Sequence, residues 1–116
     1  MSDHARTDLL PGYACRRLGA PAQAPNTLLL HGFTGTGADW DLWPGDAPAA
    51  LALDLPGHGG SPDPAADFAA EIRRLLDALP ASVERVAGYS LGGRIALCLL
   101  AAAPKRFGAA TIVSAH

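Results

Sequence analysis

Serine is a poor nucleophile until its surroundings activate it, so the residues around Ser90 come first. The run Gly88-Tyr89-Ser90-Leu91-Gly92-Gly93-Arg94 places glycine two positions to either side of the serine. Val86 and Ala87 before it are apolar and strand-like, and Ile95-Ala96-Leu97 after it continue as an apolar helix. This is the G-x-S-x-G pattern of a nucleophile elbow in its required strand–turn–helix context. A turn that sharp crowds strand against helix, and glycine removes the Cβ atoms that would collide. It lifts the Ser90 hydroxyl above the sheet edge and aims the first helical N–H groups at what binds there. The plainer alternative is an ordinary strand–turn–helix with an incidental serine.

The flanking elements follow from hydrophobic pattern. Gly12 to Leu18 reads as a short edge strand with Tyr13, Cys15 and Arg17 on one face. Thr27-Leu28-Leu29-Leu30 is a short apolar run that suits a strand buried on both faces. A glycine-rich loop, His31 to Gly37, leads to a short helix over 38–43 that Pro44 stops. A second apolar strand, Ala49 to Leu53, runs into Asp54-Leu55-Pro56-Gly57-His58-Gly59-Gly60-Ser61. Asp63 and Pro64 are the expected N-cap and first residue of the next helix. Phe68, Ile72, Leu75, Leu76 and Leu79 recur at helical spacing, with Asp67, Glu71, Arg74 and Asp77 largely opposite, until Pro80 ends the helix. Glu84 to Gly88 is the strand into the elbow. Leu91 to Ala103 is apolar nearly all round and is expected to be an enclosed central helix. Ala109 to Val113 is a last strand. Strands alternating with helices predict a mostly parallel α/β sheet flanked by helices.

Composition narrows the function. The 116 residues are 49% hydrophobic and 17% charged with net charge −2, which implies a buried core. No basic cluster exceeds a pair, so nucleic acid and anionic membrane are poor partners. Residues 1–8 lack the apolar centre of a signal peptide, and the longest apolar run, Ile95 to Ala103, is too short for a membrane span. Cys15 and Cys98 form neither a CxxC motif nor a disulfide framework and read as reduced thiols of a cytoplasmic protein. Nothing implies a cofactor or a metal: no dinucleotide G-x-G-x-x-G follows a strand, and no metal-ligand cluster is present.

Three loops at strand ends now belong together, because open α/β sheets bind ligands beyond the carboxyl ends of their strands. His31-Gly32-Phe33, Asp54-Leu55-Pro56-Gly57-His58-Gly59 and Gly88-Tyr89-Ser90-Leu91-Gly92-Gly93, in this order and spacing, resemble the α/β-hydrolase superfamily from about Thr27 to His116. The resemblance implies an α/β-hydrolase fold, with Ser90 as nucleophile or base and the N–H groups of Leu91 and Phe33 as oxyanion hole. It makes His31 a support of its loop rather than the catalytic base, and His58 a turn residue.

Within the superfamily, His31 to Gly35 with Trp40, Asp54 to Ser61, and Gly88 to Arg94 are similar to the menaquinone-pathway lyases, the 2-succinyl-6-hydroxy-2,4-cyclohexadiene-1-carboxylate synthases. That likeness implies elimination of pyruvate, with Ser90 abstracting a proton and Tyr89 and Arg94 holding the polyanionic substrate. A fixed guanidinium one turn past the serine suits a carboxylate. The alternatives are a structural salt bridge for Arg94 and a packing role for Tyr89. Trp40 and Trp43 are expected to anchor the short helix.

Members of this fold run serine, then acid, then histidine. After Ser90 there is no Asp or Glu, and His116 is the one histidine. The expectation is therefore a single incomplete domain over 1–116, the N-terminal half of an enzyme, without the C-terminal half and lid. An exposed parallel edge and uncovered apolar surface would make it associate with another copy or a complementary chain. The leading function is the lyase acting on a small-molecule carboxylate. The alternatives are a carboxylic ester hydrolase with Ser90 as acyl nucleophile, and a non-catalytic truncated product or interaction module.

Overall fold

The computed structural model of the chain describes residues 7–32, 35–57, 59–61 and 67–113. Five strands form one sheet: β1 (Cys15–Leu18), β2 (Thr27–Leu30), β3 (Ala50–Leu53), β4 (Arg85–Tyr89) and β5 (Ala109–Val113). Two helices, α1 (Phe68–Ala78) and α2 (Leu91–Ala102), and a short 3₁₀ turn at Gly37–Trp40 complete the elements. The strand order is β1-β3-β2-β4-β5; β1 is antiparallel to β3, and every other pairing is parallel.

All four residues of β2 and of β3 are buried, as their unbroken apolar runs require. On one face Leu28, Leu30, Leu51 and Leu53 pack with Ile72 and Leu75 of α1, with Leu79 just after it, and with Ile95, Ala96 and Leu99 of α2. On the other, Leu29, Ala50 and Ala52 pack with Leu18 and against Trp40 and Trp43. The small alanines make room there for two indoles, whose rings meet edge to face with centroids 6.5 Å apart.

The division of faces follows from handedness. Parallel crossovers are right-handed. The connection from β2 to β3 runs in one direction across the sheet and passes over the indole face. The connections from β3 to β4 and from β4 to β5 run the other way and put α1 and α2 on the opposite face. β2 and β4 are therefore sheet neighbours whose chains leave towards opposite faces, which opens a crevice between their carboxyl ends.

Several expected boundaries shift. β1 starts at Cys15 rather than Gly12, and β4 runs one residue further, to Tyr89. The short helix over 38–43 is a 3₁₀ turn from Gly37 to Trp40, capped by Thr36, whose hydroxyl accepts the Ala38 N–H. α1 begins at Phe68, and Asp67 caps it by accepting the Ala70 N–H at 2.7 Å. The expected cap at Asp63 and Pro64 lies outside the described residues. Two side chains of α1 depart from the helical pattern. Phe68, at the first turn, is 55% exposed, and Glu71 turns inward to accept the Tyr13 hydroxyl while pairing with Arg74. Nor is α2 enclosed all round. Gly92, Gly93, Ile95, Ala96 and Leu99 are buried, whereas Leu97 is half exposed and Arg94, Ala101 and Ala102 face solvent. Its outward face is apolar in sequence, but only the face towards the sheet is covered. Cys15 and Cys98 are not joined in a disulfide, and the Cys15 thiol donates to the Thr7 carbonyl.

Candidate functional site

At the carboxyl end of β4 the chain turns into α2 within one residue. That residue is Ser90, with φ 55° and ψ −113°, the one non-glycine residue with positive φ among those described. An L-residue is strained there, by roughly 1–3 kcal/mol. The surroundings hold it in place. The Ser90 N–H donates to the Val113 carbonyl at 2.9 Å, and its own carbonyl accepts the Arg94 N–H at 3.1 Å. Although Ser90 is the N-cap of α2, its hydroxyl makes no capping hydrogen bond. A serine at that position ordinarily caps the helix through its oxygen; here it does not.

The bracketing glycines are sterically required. A Cβ on Gly88 would run into the Gly92 carbonyl and come within 2.7 Å of the Gly93 nitrogen. On Gly92 it would lie 2.6 Å from the His31 carbonyl oxygen. The first turn of α2 thus rests directly on the end of β2. The loop after β2 closes over the serine from the side. A Cβ on Gly32 would sit 2.9 Å from the Tyr89 ring and 3.6 Å from Ser90 Cβ. Gly35 N–H donates to the Gly32 carbonyl at 3.0 Å, which ties Gly35 to the backbone beside the elbow. The serine thus stands on a strained strand–helix turn at the crevice of an open, mostly parallel sheet, with the start of a helix behind it, a place where a serine side chain can meet a ligand.

Residues 25–116 match the family described as the alpha/beta hydrolase fold. The chain belongs to that family.

The proteins it is similar to include a synthase and esterases. The 2-succinyl-6-hydroxy-2,4-cyclohexadiene-1-carboxylate synthase of Yersinia pestis (strain Pestoides F) is 43% identical, over 72% of this chain and 36% of that protein. The structure of a novel esterase from Mycobacterium tuberculosis superimposes with TM-score 0.78 at 31% identity, over 97% of this chain and 42% of that one. A carboxylesterase from Bacillus subtilis does so with TM-score 0.76 at 25% identity, over 99% of this chain and 44% of that one. The chain spans 36% of the length of the synthase.

Within this α/β-hydrolase fold the sequence-predicted residues lie as follows. Ser90, Leu91, Tyr89 and Arg94 are brought together at the elbow. Tyr89 is half exposed, with its ring over Gly32. Arg94 is exposed one helical turn beyond Ser90, and among the described residues it forms no ion pair with a carboxylate. Leu91 is partly buried as the first residue of α2. Phe33, His4, His58 and His116 lie outside the described residues.

His31 is 1% exposed. The Leu55 N–H donates to its Nε2 at 2.9 Å, which makes Nε2 an acceptor. The proton is therefore on Nδ1, which donates to the Gly32 carbonyl at 2.6 Å. A neutral imidazole with both nitrogens engaged supports a loop, as the family resemblance implies. Trp43 Nε1 donates to the Pro48 carbonyl at 2.9 Å, so that indole is tied to the β3 approach. Among the described residues no group of three or more His, Cys, Asp or Glu side chains could hold a metal ion, and no helix is long and apolar enough to cross a membrane.

Two groups stand out only in three dimensions. The Asp54 carboxylate is buried and accepts the Gly37 N–H at 2.7 Å and the Gly60 N–H at 2.9 Å. Its place after a strand and before a Pro-Gly turn was the available signal, but not which loop it reaches. Tyr13, Glu71 and Arg74 form a second cluster away from the serine. The Tyr13 hydroxyl donates to Glu71, Arg74 Nη2 lies 2.9 Å from Glu71 Oε1, and the guanidinium sits 4.7 Å above the Tyr13 ring. No spacing rule links a tyrosine before β1 to α1.

Proposed function

We propose that the protein is a serine-dependent enzyme of carboxylic ester chemistry. Ser90 Oγ attacks the ester carbonyl, its proton passes to a general base, and the leaving alcohol takes up a proton as the acyl-serine forms. Water then hydrolyses the acyl-enzyme. The N–H groups of Leu91 and Phe33 are the proposed donors to the oxyanion, each worth about 3–4 kcal/mol in an enclosed site. The observation that carries this reading is the strained Ser90 backbone with an uncapped hydroxyl. Strain of this size at a serine is retained where the position is used. The 31% identity to an esterase across nearly the whole chain supports it. With His31 committed to its loop, the general base is proposed to lie beyond the described residues.

A second reading has its own support. Arg94 places an exposed guanidinium one turn from Ser90, and the 43% identity is to a 2-succinyl-6-hydroxy-2,4-cyclohexadiene-1-carboxylate synthase. In that reading Ser90 is the base that removes a proton from the substrate, pyruvate is eliminated, and Arg94 and Tyr89 hold the substrate carboxylates. In either case the ligand is a small-molecule carboxylate or ester.

The two are separated with the protein produced from its native gene. A stoichiometric burst of nitrophenol from a p-nitrophenyl ester, abolished in Ser90→Ala, is expected for the ester hydrolase. Pyruvate release from the cyclohexene dicarboxylate precursor, without a burst and again lost in Ser90→Ala, would transfer the assignment to the lyase. Activity of neither kind from folded protein would leave the elbow as inherited scaffold.

A further inference from the structure

The loop that flanks Ser90 is held at both ends, and different side chains hold the two ends. At the near end, His31 bridges the Leu55 N–H and the Gly32 carbonyl. At the far end, the Gly37 N–H donates to Asp54 Oδ1 at 2.7 Å. Both anchors stand at the carboxyl end of β3, which is locked to β2 by the parallel pairing of Leu30 with Leu53. The second carboxylate oxygen of Asp54 accepts the Gly60 N–H at 2.9 Å, and the chain wraps around the carboxylate at Gly59, whose φ is +51°. Asp54 is 5% exposed. A buried carboxylate is expensive unless its oxygens are satisfied. Here each oxygen receives a backbone N–H, a charge-assisted bond about twice as strong as a neutral one.

We infer that Asp54 is a positioning residue of the serine site. Its carboxylate fixes the backbone at Gly37, and through the Gly35 to Gly32 hydrogen bond the backbone of Gly32 beside Ser90. This rests on the proposal that Ser90 does chemistry. Fixing the backbone at Gly32 and at Gly37 leaves Gly32, which lies against Tyr89 and Ser90, little freedom to drift from the elbow. A displacement of about 1 Å in a positioned group can cost about 10²-fold in rate.

The test uses Asp54→Asn in the protein produced from its native gene, assayed on whichever substrate the unaltered protein turns over. Asparagine keeps the shape but turns an amide N–H₂ towards one of the two backbone donors. The expected result is a fall in kcat of about 10- to 100-fold with KM little changed. Ser61→Ala is the control. Its hydroxyl donates to the Asp54 carbonyl and accepts the Ala14 N–H, so its loss loosens the same β3 turn without touching the loop after β2. It is expected to lower the melting temperature and leave kcat unchanged.

An unchanged kcat in Asp54→Asn, or an equal loss in Ser61→Ala, would overturn the inference. If Ser90→Ala also retains full activity, the failure belongs to the proposed function instead. Should Asp54→Asn not fold, amide exchange of the unaltered protein decides. Gly37 N–H is expected to exchange as slowly as the β2–β3 ladder, and free exchange there would sink the idea.

Discussion

Gly88 and Gly92 meet backbone to backbone across the Ser90 turn, with no room for a Cβ on the first beside the carbonyl of the second. Gly92 in turn lies against the carbonyl of His31, where a Cβ would come within 2.6 Å. Both obstructing groups are main chain, so neither can yield by a rotamer change. Gly92→Ala is therefore expected to push α2 off the end of β2 and to destabilise the fold by about 1–3 kcal/mol, the usual range for overpacking. Urea denaturation of the protein and its variant measures this directly. Equal midpoints would mean that the close approach of α2 to β2 is absent in solution.

The cluster of Tyr13, Glu71 and Arg74 predicts a pH dependence at the alkaline end. Burial pushes the Tyr13 hydroxyl well above its usual pKa, and its hydrogen bond to Glu71 raises it further. The folded state thus prefers the protonated phenol. The stability this adds is fully present below the unfolded tyrosine pKa of about 10 and is lost as pH rises above it towards the folded value. Tyr13→Phe removes the hydroxyl but keeps the ring under Arg74. It is expected to cost about 1–2 kcal/mol at neutral pH. The gap between the two proteins should narrow above pH ~10, as read from denaturation midpoints at a series of pH values. A constant gap would contradict the assigned bond.

Arg94 distinguishes anionic from neutral substrates. Replacing it with alanine removes an exposed guanidinium one turn from the serine without disturbing a carboxylate partner among the described residues. If it binds a substrate carboxylate, KM for a dicarboxylate should rise by about 10- to 100-fold, as expected for a hydrogen bond to a charged group. KM for a neutral p-nitrophenyl ester should stay the same. A parallel change for both substrates would make Arg94 a structural residue of α2.

Much of this molecule could be read in one dimension because its determinants are local. β2 and β3 announced themselves as unbroken apolar runs, which only strands covered on both faces require. The elbow was legible because a single residue in a strained conformation demands glycine on both sides within a five-residue window. Helix ends were less certain. Asp67 was read as part of the polar face of α1, and only the side chain that reaches the Ala70 N–H shows it to be the cap. The apolar outer face of α2 looked like core because periodicity reports what a helix could bury, not what lies opposite Leu97.

The sequence by itself determined that Ser90 stands at a strand-to-helix turn of a parallel α/β sheet, since strand, glycine bracket and helix are contiguous in the chain. Tertiary structure alone decided what surrounds it. The order β1-β3-β2-β4-β5 puts the end of β2 beside that of β4 and opens the crevice. Only then does Gly32 come up against Ser90, although 58 positions separate them. His31 could be a base or a brace until its two nitrogens met Leu55 and Gly32. Asp54 could be any turn aspartate until its carboxylate met Gly37 across 17 residues. Such contacts depend on how strands are ordered and how loops fold back, and the free energy of that arrangement belongs to the whole sheet rather than to any window of the chain.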